Sequence, residues 1–273
     1  MNNAAVLPDV SSKGFKTESS FDFSVCPWSI KDAFVVLIYS IAIFLVFSFW
    51  LALGYSILHL IVPNRFVFLS TEYLNSLKHF YIIFVFYVSL FLSLKIKIFK
   101  KYHIENLNFF ICRKSVLSDV VYGIKAYFKF LIIMLVSVAM FLLVVSMLDM
   151  VFFSSMKGKV DLFFNAVQIE KQVVVSHAAG AFGTVILLIF APFFEELYFR
   201  GCLYRALRAR YACGAAILVS SLIFSLLHGH FFLFFYVLVI GLILAYIYEK
   251  RRSLVAPLTF HALNNLVVIL FFM

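Results

Sequence analysis

The sequence predicts an all-α fold, a polytopic transmembrane helical bundle of about seven (six to eight) membrane helices whose chemistry sits in the last four. Three observations predict it. Of the 273 residues, 64% are hydrophobic and only 13% charged, with a mean hydropathy of +1.05. A soluble domain carries roughly half apolar and about a quarter charged residues, so this is an integral membrane protein. The apolar residues form runs of membrane length, broken by short polar or basic stretches. Finally, ionisable and carboxamide side chains gather within the later runs as three islands: Glu195-Glu196 with Arg200, then His228, then His261 with Asn265. The runs are helical, because an open strand in lipid would leave its backbone groups unpaired.

The first run covers roughly Ala33 to Val62 and stops at Pro63-Asn64-Arg65. The second spans about His79 to Leu94, and the third about Val120 to Leu148, where Lys125 and Lys129 are spaced to snorkel towards the surface. The fourth runs about Ser176 to Phe199, the fifth about Ala215 to His228, the sixth about Phe231 to Tyr248 and the seventh about Leu254 to Met273. Ahead of them, residues 1–32 read as a polar, Ser-rich tail, with no basic stretch leading into a short apolar core as a removable signal would have. No linker or repeat divides the rest, which reads as N-terminal membrane helices over 33–175 and a membrane core over 176–273.

Charge sets the orientation. A net charge of +10 suits nucleic acid in principle, but the basic residues lie in short loops between apolar runs, which is the pattern of membrane topology. With the N-terminus inside, Lys95, Lys97, Lys100, Lys101, Arg113 and Lys114 share an inner loop, and so do Arg200, Arg205, Arg208 and Arg210, and Lys250, Arg251 and Arg252. An odd number of spans then leaves the C-terminus outside. The four cysteines form no CxxC pair and read as reduced, small hydrophobes.

Ionisable groups at bilayer depth are expensive, so they face a protein interior or a watery cavity and mark a functional site. Two carboxylates, two imidazoles and a carboxamide are what hydrolysis needs: a base, a positioner of water and donors for an oxyanion. The islands can meet if the fourth helix continues past Arg200 to about Arg210 and turns at Tyr211-Ala212-Cys213-Gly214. Glu195 and His228 would then both lie ~22–26 Å from that turn, with His261 ~15 Å from the next inner loop. Glu196 and Arg200 are spaced i,i+4 with the acid N-terminal, the better orientation for an ion pair, which leaves Glu195 the freer carboxylate. His261 and Asn265 share the same spacing, and Pro192 could open room for water by removing a backbone donor.

These residues carry a specific resemblance. Glu195-Glu196-Leu197-Tyr198-Phe199-Arg200 resembles the EExxxR motif of the type II CAAX prenyl endopeptidase family, the CPBP intramembrane proteases, which also include bacteriocin-processing and immunity proteins. Phe224-Ser225-Leu226-Leu227-His228 matches that family's FxxxH, and His261-Ala262-Leu263-Asn264-Asn265 its HxxxN, in the same order and over about residues 176–273. The resemblance implies an intramembrane endopeptidase in which Glu195 activates water, His228 holds it, His261 and Asn265 stabilise the oxyanion, and Glu196 with Arg200 shapes the site. The resemblance leaves metal dependence open: Glu195, His228 and His261 could in principle bind zinc with an open position, but no HExxH or comparable compact ligand pair is present, and the expected mechanism is metal-free with no cofactor. The implied substrate is a hydrophobic peptide at the bilayer, prenylated or leader-bearing. The N-terminal tail and the lack of a eukaryotic targeting signal suggest a bacterial inner membrane, and the confinement of basic residues to short loops predicts no nucleic acid partner. Two other classes fit the same residues: a catalytically silent binding or immunity protein, and a transporter using the acids and histidines as a proton relay. The transporter is the weaker, since no repeated half-structure is visible.

Overall fold

The computed structural model describes residue 23 and residues 26–61, 71–104, 115–152, 181–229 and 233–272, and among these it contains helices and no strand. Seven helices follow in order. They are α1 (Ile30–Ile61), α2 (71–100), α3 (Val116–Phe152), α4 (181–208), α5 (Cys213–Leu227), α6 (Phe234–Arg251) and α7 (Val255–Phe272). The seven expected runs correspond to them one for one. The fourth helix does continue past Arg200, and the chain turns at Tyr211 and Ala212 before α5 begins, the condition on which convergence of the polar islands rested.

Among the described residues, three helices are long and apolar enough to cross a bilayer by length and composition: Ile30–Gly54 of α1, Tyr81–Lys100 of α2 and Val116–Val144 of α3. The outer surfaces of α1 and α3 carry exposed Phe49, Trp50, Phe128, Leu135 and Phe141, as a lipid-facing surface requires. With 15 residues, α5 extends ~22 Å, less than the ~30 Å hydrocarbon core.

The central element is α4, which touches α1, α2, α5, α6 and α7. Its backbone stays right-handed helical throughout but widens twice into i→i+5 turns, at Ile186–Phe190 and Leu197–Tyr204. Such insertions in a helix often accompany functional sites. The pair α1/α2 is tied to α4 by Tyr198 Oη donating to Ala33 O (3.2 Å) and Trp28 Nε1 donating to Cys202 O (2.9 Å). The region read as tail is therefore part of the fold at its end: Phe23, Cys26 and Trp28 are buried, and α1 starts at Ile30. Burial pushes the Cys26 thiol up to about 11, in keeping with a reduced, inert cysteine. Cys202 and Cys213 are also free thiols, while Cys112 lies outside the described residues.

On the other flank α3 packs on α7. Lipid tails are as apolar as leucine, so helices in a bilayer associate through close packing of small residues and hydrogen bonds. Gly123 is such a point: a Cβ there would stand 2.5 Å from Ala256 O and 2.8 Å from Thr259 Cβ. Around it Phe260 packs edge-on to Tyr127, with ring centroids 5.4 Å apart. Gly241 plays the same part between α6 and α5, where a Cβ would meet Ser221 Cβ at 3.1 Å and Phe224 Cδ1 at 3.3 Å.

Candidate active site

Glu195 and Glu196 lie at the junction between the α-helical stretch Ala191–Glu196 and the wide turn that follows it. Adjacent helical residues point about 100° apart, so the two carboxylates face different surroundings. Glu196 is buried against Arg200, whose Nη1 donates to Oε1 at 3.0 Å, as the i,i+4 spacing predicts. The guanidinium also donates through Nη2 to Gly241 O (3.2 Å) and lies over the Phe224 ring at 4.5 Å. An ion this deep is stable only with such partners, and the close approach of Gly241 brings its carbonyl within reach.

Glu195 is placed differently. Its Oε1 accepts a hydrogen bond from the Tyr87 hydroxyl of α2. Its Oε2 is buried without a hydrogen-bond partner and faces two imidazoles, His228 Nε2 at 3.7 Å and His261 Nε2 at 3.7 Å. His228 follows the last residue of α5, and Gly229 (φ +68°) turns the chain away in the left-handed conformation that favours glycine. All three polar islands thus meet around one point.

Hydrogen-bond partners assign the ring nitrogens. His228 Nδ1 lies 2.7 Å from Phe224 O, which can only accept, so Nδ1 donates. His261 Nδ1 lies 2.9 Å from Glu196 Oε1, an oxygen already accepting from Arg200, so this nitrogen donates too. In neutral rings both Nε2 atoms then carry lone pairs, and both are aimed at a carboxylate oxygen. Three electron-rich atoms facing one another call for protons between them, which a water molecule or a protonated imidazole supplies.

Asn265 joins the site through the backbone of α4. Ala191 N–H donates to Ile186 O, five residues back, so the next donor in that register would be residue 192, bonding to Leu187 O. That residue is Pro192, which has no N–H. The carbonyl it leaves open accepts from Asn265 Nδ2 at 2.9 Å. One amide hydrogen of Asn265 is thus committed to clamping α7 on α4. Next to it, Asn264 accepts at Oδ1 from Tyr236 Oη (2.7 Å), a bond between α7 and α6.

Among the described residues no group of three or more His, Cys, Asp or Glu side chains could hold a metal ion. The nearest approach is the trio of Glu195 Oε2 and the two Nε2 atoms, at 3.7 Å and 3.7 Å. Ligands on a tetrahedral zinc with bonds of about 2.0–2.1 Å stand roughly 3.3 Å apart, so the trio is wider than zinc would draw it.

Sequence reasoning found every member of this cluster except Tyr87. One tyrosine in an aromatic-rich span carries no signal of its own, and only the packing of α2 on α4 reveals its partner. Pro192 removes a backbone donor, and the carbonyl it frees is occupied by Asn265.

Comparison with protein families finds a match between residues 177–267 and the model described as type II CAAX prenyl endopeptidase Rce1-like. Neither curated proteins nor solved structures give a match. The matched segment contains all six residues singled out from the sequence, Glu195, Glu196, Arg200, His228, His261 and Asn265, and excludes Tyr87.

Proposed function

From the similarity of residues 177–267 to the type II CAAX prenyl endopeptidase Rce1-like family, we propose that this chain hydrolyses a peptide bond through a water activated by Glu195. The observation that carries the proposal is the buried, unpartnered Oε2 of Glu195 facing Nε2 of both His228 and His261. A water between them donates one hydrogen to Oε2 and a second to His228 Nε2, which holds its oxygen towards a carbonyl carbon. Glu195 takes the proton as the water oxygen bonds to that carbon and the carbonyl π pair moves to oxygen. The oxyanion is met by the free amide hydrogen of Asn265 and by His261 acting as an imidazolium, with Nδ1 donating to Glu196. Collapse re-forms the carbonyl and breaks the C–N bond, and the proton held on Glu195 passes to the leaving nitrogen.

Charge supports that protonation state. Two carboxylates against one guanidinium leave one negative charge uncompensated in a low-dielectric site, and an imidazolium between both acids balances it. The mechanism needs no metal. The substrate is a hydrophobic or membrane-anchored peptide, prenylated or leader-bearing, reaching the site within the bilayer of a bacterial inner membrane. Basic loops on the side of residues 95–101, 205–210 and 250–252 make that side cytoplasmic, together with the N-terminus.

The test compares purified wild type with Glu195→Ala and His228→Ala on a fluorogenic membrane-peptide library, with and without a chelator. Cleavage by wild type alone, indifferent to chelator, supports the glutamate mechanism. Loss with chelator and rescue by zinc would overturn its metal-free form. Proton-coupled uptake in vesicles, abolished by Glu195→Ala, would replace the hydrolase with a transporter, and a folded wild type that binds peptides without cutting them would make it a binding protein.

A further inference from the structure

We propose that Tyr87, on α2 and outside the segment that carries the family match, is a positioning residue that selects which oxygen of Glu195 acts as the base. The proposal rests on the hydrolytic reading of the site and deepens it.

A carboxylate on a flexible side chain presents two equivalent oxygens, and rotation about its last bond exchanges them. In this site they are not equivalent. Oε1 accepts from the Tyr87 hydroxyl, whereas Oε2 has no hydrogen-bond partner and faces the two imidazoles. The donor is itself held. The Tyr87 ring lies nearly parallel to Phe194, the residue before Glu195, with centroids 5.9 Å apart and planes 17° apart, and it packs edge-on to Phe86 at 5.6 Å. Donor and acceptor are therefore fixed by one aromatic stack spanning α2 and α4.

Tyr87 in turn depends on the anchoring of α2. Beyond its far end, Tyr102 Oη and Lys101 Nζ both donate to Asp32 of α1 at 2.8 Å, and α1 is fastened to α4 through Tyr198 and Trp28. The N-terminal helices thus supply a polar group to a centre otherwise built from α4, α5, α6 and α7. A tyrosine hydroxyl suits this place: it donates one hydrogen bond, stays neutral and brings an apolar ring.

Removing the hydroxyl while keeping the ring frees the carboxylate to rotate. Tyr87→Phe should lower kcat by about 10–100-fold with KM changed less than about twofold, because the lost bond orients the base and not the substrate. The second readout does not depend on turnover. The infrared band of the Glu195 carboxylate, identified by its loss in Glu195→Gln, should move in Tyr87→Phe and move in the opposite direction when 3-fluorotyrosine, a stronger donor of the same shape, occupies position 87. A band unmoved by both changes overturns the proposal, as does a Tyr87→Phe enzyme with wild-type kcat beside an inactive Glu195→Gln. Cleavage that survives Glu195→Gln strikes instead at the hydrolytic reading, so the two failures are told apart.

Discussion

Charge is handled in two ways in this molecule, at the rim formed by the ends of the helices and in the buried centre. At the rim, Lys101 meets Asp32 at 2.8 Å, Arg208 meets Glu249 at 3.1 Å and Arg251 meets Asp119 at 2.6 Å. Each cation there keeps contact with water, and the acids are saturated: Asp32 accepts from Ser29, Lys101 and Tyr102, and Glu249 from Tyr204 and Arg208. In the centre, Glu196 and Arg200 are each only 1% exposed, and Glu196 and Glu195 each keep one buried carboxylate oxygen without a hydrogen-bond partner, that of Glu195 facing the two imidazoles. The rim uses charge to join neighbouring helices. The centre sets a buried ion pair beside a second carboxylate, one oxygen of which faces two imidazoles with no hydrogen-bond partner.

The largest break in that comparison comes from removing one side of the central pair. Arg200→Met should destabilise the fold by about 3–5 kcal/mol, because it leaves Glu196 as an uncompensated charge in a dry site. Unfolding in mild detergent would register this as a loss of most of the folded population. A much smaller effect would show that water reaches Glu196 and that the centre is wetter than its burial implies.

Next comes packing without charge. Gly123→Leu should cost about 1–3 kcal/mol by forcing α3 off α7, where even a Cβ would meet Ala256 O at 2.5 Å. The lesion lies on the flank away from α2, so Tyr87 and Glu195 should keep their contact and residual activity should track the folded fraction. Activity lost beyond that fraction, measured per folded molecule, would couple α3 to the site.

How much of this was legible in the sequence follows from the same contrast. Apolar runs announce helices because lipid admits little else, and each of the seven runs became a helix. The i,i+4 spacing of Glu196 and Arg200 announced their bond, since both partners lie on one helix. Contacts between helices are a different matter. The bonds of Tyr87 to Glu195, of Arg200 to Gly241 O and of Asn265 to Leu187 O each join residues far apart in the chain. They depend on helix rotation and on two wide turns within α4, and a hydrophobic pattern with nearly uniform faces does not encode rotation. Trp28 and Phe23 were hidden for another reason: a short apolar pair inside a polar segment reads as tail until Arg205 and Tyr204 are seen packing around it.

The smallest effect belongs to the rim, and it carries a sign in pH. Lys101 is more than half exposed, and its pair with Asp32 should contribute no more than about 1 kcal/mol, screened by salt. Lys101→Met should therefore leave both stability and turnover near wild type at neutral pH. The hydrogen bond from its ammonium to Asp32 holds the Lys101 pKa above the ordinary lysine value of about 10.4. A raised value in the folded state means that the contribution is complete below the unfolded lysine pKa and disappears as pH climbs through the folded one. Wild type and Lys101→Met should thus differ slightly and constantly from neutral pH to about 10, then converge in stronger alkali. Convergence already near pH 8 would assign the difference to another group. A gap of several kcal/mol at neutral pH would mean that the rim, like the centre, is dry, and that the anchoring of α2 rests on a single ion pair.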